Sequence, residues 1–134
     1  LQNSQLISVP TTKEKLLQSN LTNAETTNDA WGYLSAFNSD GFTLTAGSSG
    51  IDQVNDNNDA YVAWNWKANG SGSANTTGSI NTTATSANVD AGFSIVSYTG
   101  NGTAGATVGH GLSKAPEMII HKQRTDSNTW WAVF

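Results

Sequence analysis

Tyr61-Val62-Ala63-Trp64-Asn65-Trp66-Lys67 is the stretch that decides the fold class. Its period of two puts Val62, Trp64 and Trp66 on one face and Tyr61, Ala63 and Asn65 on the other, as a strand does and a helix does not. Outward from it, the apolar residues fall in short bursts separated by Gly, Asn, Asp and Ser, the punctuation of an all-β chain. Further strands are expected at Gly41 to Thr45, Phe93 to Thr99, Glu117 to Lys122 and Thr129 to Phe134, all rich in β-branched or aromatic residues. Near the start, Thr11-Thr12-Lys13-Glu14 matches a capping box ahead of Leu16 and Leu17, which reads as one helical turn before Ser19-Asn20 interrupts it. A strand over Glu14 to Gln18 is the alternative. The expected architecture is all-β: an antiparallel, β-sandwich-like domain of jelly-roll or lectin-like kind, with that single short helical turn near the N-terminus.

Composition narrows the function. The 134 residues fit one domain, which at this size buries roughly two-thirds of its unfolded surface. There is no cysteine, so no disulfide framework, thiolate metal site or thiol nucleophile is available. Charged residues are 12% of the chain, against about 25% in an ordinary globular protein. Asn, Ser, Thr and Gly replace them, as suits a virion, extracellular or cell-surface protein that relies on hydrogen bonds more than on charge pairs. The net charge of −4 opposes binding to nucleic acid, which clusters of Lys and Arg normally engage. No apolar run approaches the roughly 20 residues of a membrane span. The start has neither Met nor a basic leader, and the finish on Trp130-Trp131-Ala132-Val133-Phe134 has no closing turn; both lead us to expect that the natural polypeptide continues.

Residues 69 to 88 contain one large apolar side chain, Ile80, among Gly, Ser, Ala, Asn and Thr. This is connector chemistry. It divides the chain into 1–68, a connector over 69–90, and 91–134, with one domain over 1–134 as the alternative. Both halves carry a similar start, Gly41-Phe42-Thr43-Leu44 and Gly92-Phe93-Ser94-Ile95, a short internal repeat.

Three segments carry a resemblance: Asn38 to Leu44, Tyr61 to Ala68, and Ala91 to Gly102. With Gly105 to Gly111, Ala115 to Ile120 and Asn128 to Val133, they resemble a repeat domain of tail-fibre and other virion proteins in phages of marine bacteria and cyanobacteria. The likeness covers roughly residues 35 to 134. It implies lectin-like β-sandwich material, carbohydrate contact, and a chain made of the back half of one repeat (1–68) and the front half of another (91–134). The chain departs from that pattern at His121, where a small aliphatic is usual, and in the acidic, amide-rich turn Asp52 to Asp59. The resemblance brings no motif of functional residues.

Motifs with chemical potential are few. Gly100-Asn101-Gly102-Thr103-Ala104-Gly105 matches a dinucleotide fingerprint after a predicted strand, but Gly109, Gly111 and Pro116 oppose the helix it must open, so a Gly-rich hairpin connection is expected. Asn55, Asn57 and Asp59 have the alternate spacing of a calcium loop, with Ala60 where the turn Gly belongs and Trp66 where the bidentate Glu belongs; an exposed turn is the better reading. His110 and His121 lack a third ligand, and no Gly-x-Ser-x-Gly elbow exists. Asp40 and Asp90 precede Gly-Phe strand starts as turn aspartates do, which leaves no glycosidase pair to nominate with Glu117 or Asp126. No catalytic, cofactor-binding or metal-binding residue is expected.

The aromatics remain. Trp64 and Trp66 are expected to be largely buried in core or subunit packing; with Trp31, Tyr98 and Trp130 they are also the side chains suited to stacking on sugar rings. The expected function is that of a non-enzymatic bacteriophage virion structural protein, a tail fibre, tail appendage or capsid decoration. It would act as a homo-oligomer, trimer or larger, with other virion proteins and with host surface polysaccharide. A carbohydrate-binding adhesin module, or a bacterial surface or filament subunit located at the cell surface, is the alternative.

Overall fold

The computed structural model describes residues 5–6, 14–27, 30–49 and 54–134. Among them there is no helix, and every paired strand is antiparallel, so the fold is all-β. The expected capping box falls partly on residues outside the described ones, and its continuation, Lys15–Gln18, is a strand. The described chain forms two compact units: one holds β1, Thr12–Ala63 and Met118–Phe134, the other Trp64–Glu117.

In the first unit, β2 (Lys15–Gln18) is the centre of a three-stranded sheet between β1 (Gln5–Leu6) and β3 (Thr26–Thr27). Leu16 and Leu17 are successive residues and therefore point to opposite faces, yet both are buried, so both faces of β2 are covered. Leu34 is the third buried aliphatic. It belongs to β4 (Tyr33–Phe37), which pairs with β5 (Phe42–Thr45), and its carbonyl accepts the Glu14 N–H at 2.8 Å beside β2. From the far end of the sequence come β8 (Ile120–His121) and β9 (Ala132–Val133), paired with each other. Their segment docks by specific bonds: Trp131 Nε1 donates to the Gln18 carbonyl at 2.9 Å, and the Glu25 N–H donates to the Arg124 carbonyl at 2.8 Å. The Arg124 guanidinium grips the Glu25 carboxylate through Nε and Nη2 at 2.7 and 2.9 Å. These bonds outweigh the desolvation of Arg124 and raise its pKa.

The second unit centres on β6 (Thr82–Asn88), paired with β7 (Phe93–Tyr98). Along the other side of β6 the chain runs antiparallel from Lys67 to Asn75, mostly without a ladder. The Lys67 carbonyl accepts from Asn88 Nδ2, Ser86 Oγ accepts from the Asn69 N–H and donates to the Gly70 carbonyl, and Ser73 bridges Thr85. The buried side chains here are hydroxyls: Ser86, 1% exposed, and Thr82, whose Oγ1 accepts from the Asn75 N–H at 2.8 Å. Hydrogen-bonded Ser and Thr take the place that aliphatics hold in the first unit, which accounts for a compact unit built from so polar a sequence.

The strand expected at Tyr61 to Lys67 does not form. Tyr61 Oη instead accepts the Asp56 N–H at 2.9 Å, closing the amide-rich turn, and from Lys67 onward side chains of β6 satisfy the backbone that a ladder would have used. Period-two alternation identifies two faces but not a neighbouring strand. Within the range read as a connector, 69–90, Thr82–Asn88 form β6, the longest strand among the described residues. The Gly-rich hairpin connection expected after Tyr98 is instead a return: Val108 bridges Ile80 in parallel, with Ile80 N bonded to the Thr107 carbonyl at 3.0 Å.

The short internal repeat has a structural counterpart. Each Gly-Phe opens the second strand of a hairpin closed by a four-residue loop, with Phe37 opposite Phe42 and Asn88 opposite Phe93. Each first strand carries one extra residue, Ser35 or Thr83, followed by Ala. In both, that residue's hydroxyl donates to the carbonyl of the residue facing the Ala: Ser35 to Thr43 at 3.3 Å, Thr83 to Ser97 at 2.9 Å. The hydroxyl thus occupies an acceptor at the bulge.

Candidate functional site

Two surfaces stand out, one in each unit. In the second, Trp66 is stacked on Phe93 with centroids 6.2 Å apart and planes 17° from parallel, and Trp64 meets Trp66 edge-on at 6.5 Å and 75°. Phe93 is fixed by its place opposite Asn88 at the end of β7, so the indoles rest on the sheet even though their own segment is not a strand. They are not core: Trp64 is 78% exposed and Trp66 58%. The expectation that they are largely buried is overturned, because the missing ladder leaves them on the outside of β6 and β7.

A groove of about 410 Å³ is lined by Lys67, Ala68, Asn69, Ala87, Asn88, Val89 and Asp90; it starts at the residue after Trp66 and includes Asn88, the partner of Phe93 across the strand pair. Asn88 is a structural member of it, donating to the Lys67 carbonyl and accepting the Ala91 N–H. Among the described residues the Lys67 ammonium, the Asn69 amide and the Asp90 carboxylate have no partner, whereas the hydroxyls of Thr82, Thr83, Thr85, Ser86 and Ser97 on the same strand pair are engaged. Sequence reasoning missed Phe93 as a member and saw Asp90 only as a turn residue; the signal was the turn itself, which sets Phe93 directly across from Asn88.

The other stacking candidates are not gathered here. Tyr98 lies at the opposite end of β7, roughly 17 Å along the strand from Phe93. Trp31 and Trp130, both exposed, belong to the first unit.

The second surface is the β8–β9 pair. Ile119 and Phe134 extend the ladder by exchanging both backbone bonds at 3.0 Å, so the next pair, Ile120 and Val133, turns its N–H and C=O groups outward. Met118, Ile119, Ile120, Trp130, Val133 and Phe134 are all exposed around it.

Potential chemical centres are scarce. Among the described residues no group of three His, Cys, Asp or Glu is placed to hold a metal ion. His110 Nδ1 accepts the Leu112 N–H at 3.0 Å, and His121 lies in β8 of the other unit. Asp56 and Asp126 accept backbone N–H groups two residues or fewer ahead, as turn residues do. The chain after Gly100 turns at Thr103 to Ala106 without starting a helix, so the fingerprint lacks the element that would face a pyrophosphate. No helix among the described residues is long and apolar enough to cross a membrane.

The fold and these surfaces define an all-β domain built from bulged hairpins. The chain belongs to the family DUF7483, a domain of unknown function, whose model matches residues 2–134 and so spans both units. No curated protein and no solved structure matches it.

Proposed function

We propose that this chain is a non-catalytic structural module of a bacteriophage virion, a tail fibre or related appendage, that works by assembling with further copies and with other virion proteins. The observation that carries the reading is the β8–β9 pair. A two-stranded ladder is marginal alone, and this one presents outward backbone groups at Ile120 and Val133 beside six exposed apolar side chains, which another chain can pair with and cover. The low charge and the Asn, Thr and Ser-rich surface support an extracellular particle, and the segments from Asn38 to Val133 that resemble virion repeat domains support the setting.

Light scattering on the whole protein tests this. A defined trimer or larger assembly is expected, and Ile120→Lys or Val133→Lys is expected to dissociate it; a wild-type chain that stays monomeric at high micromolar concentration would remove the reading. A virion setting also requires the protein to co-purify with intact phage particles.

A further inference from the structure

We propose that Trp64, Trp66 and the groove from Lys67 to Asp90 form a saccharide-binding site for a neutral, polyhydroxylated chain. The proposal is independent of the assembly reading, since β8 and β9 contribute nothing to it.

The indoles are presented rather than merely left over. Phe93 braces Trp66 from the sheet, and Trp66 sets Trp64 edge-on, which leaves Trp64 open to solvent. A ring held in this way costs little ordering entropy when a ligand arrives. The negative face of an indole attracts the positively polarised C–H face of a sugar ring. Hydroxyl groups at the edge of that ring then need donors and acceptors nearby. Lys67, Asn69 and Asp90 supply an ammonium, an amide and a carboxylate that have no other partner among the described residues, in a groove whose volume lies within the usual range for small-ligand sites, about 300–1,000 Å³.

The same features disfavour other occupants. One cation and one anion line the groove, so nothing there selects a polyanion. Its lining is more polar than apolar, which suits neither an acyl chain nor the apolar face of a helix. Adjacent aromatic and hydrogen-bonding surfaces, with no net charge, match a neutral sugar.

Affinity electrophoresis of the whole protein through gels containing dextran, laminarin, mannan, arabinogalactan or hydroxyethylcellulose is the test. Retardation by at least one of the five is expected. Trp64→Ala should weaken it about tenfold or more, and Asn69→Ala and Asp90→Ala should weaken it less. Trp64 is so exposed that its replacement should not unfold the chain, which circular dichroism verifies. No retardation by any of the five, or equal retardation of wild type and Trp64→Ala, overturns the site. A fall in molar mass on Trp64→Ala also overturns it, because it shows that the indoles meet another copy of the chain.

Discussion

Trp131 Nε1 donates to the main-chain carbonyl of Gln18 at 2.9 Å, tying together residues 113 positions apart. The carbonyl lies at the end of β2, whose Leu16 and Leu17 are the best-buried aliphatics among the described residues. Trp131→Phe keeps most of the ring and loses only the donor, so it should cost about 1 kcal/mol. Trp131→Ala also removes the packing and should cost about 2–4 kcal/mol, short of a fully buried tryptophan because this one is half-buried. Urea denaturation of the two variants separates the contributions; a neutral Trp131→Phe would show that the hydrogen bond carries nothing, and equal losses that the packing carries nothing.

Arg124→Ala should destabilise the chain by about 1–3 kcal/mol, since it strands a Glu25 carboxylate whose side chain is only 10% exposed. Lys15 Nζ, 3.6 Å away, offers partial relief. Arg124→Lys should recover less than half of the loss, because an ammonium cannot reproduce the two-point grip. Since the pKa of Arg124 is raised in the folded chain, its contribution is fully present at neutral pH and disappears only in strong alkali. Stability of the two variants at pH 7, measured by chemical denaturation, decides.

Ser86→Ala should cost about 2 kcal/mol despite changing a single oxygen. It leaves the Asn69 N–H and the Gly70 carbonyl unpaired at the most buried side chain of the second unit. A thermal scan checks this, and a neutral result would show that the unit is not held by its hydroxyls.

Deletion of Thr83 should be far worse than any substitution of it. Removing the extra residue of the bulge shifts Thr82 by one position, which turns its buried hydroxyl to the opposite face of the strand and breaks its bond with Asn75. Thr83→Val keeps the backbone and loses bonds on an exposed side, so it should cost less than about 1 kcal/mol. Hydrogen exchange of the β6 and β7 amides distinguishes a lost register from a locally weakened one.

Gly109→Ala should also destabilise the second unit, since an added Cβ would overlap Thr77 Oγ1 and crowd the Asn75 side chain at 2.8 Å. These groups are bonded to each other at 2.8 Å and cannot both yield. A lowered melting temperature is the expected readout.

Much of the fold could be read from local chemistry. Phe42 to Thr45 and Phe93 to Tyr98 are strands as expected, because each follows a turn and carries residues that favour a pleated surface. Thr82 to Asn88 was hidden by composition: β-branched Thr82, Thr83 and Thr85 carried a strand signal that the surrounding Ser, Ala and Asn made look like a linker. Tyr61 to Lys67 failed for the opposite reason, since alternation was present but no strand lay alongside to complete a ladder. The indole pair was legible as a pair of aromatics, while its exposure and the groove depend on how Asn69, Ser86 and Asn88 bond across the turn, which no single segment encodes. The junction of Trp131 and Arg124 with Gln18 and Glu25 spans the chain and has no local signature.

The first unit is discontinuous, completed only by Met118–Phe134, whereas the described residues of the second run continuously from Trp64 to Glu117. During synthesis on the ribosome, β6 and β7 can therefore pair before Arg124 and Trp131 have been made. The Gln18 carbonyl and the Glu25 carboxylate must wait for their partners while a whole second unit is made and folds, an interval in which the first unit is incomplete and open to misassociation.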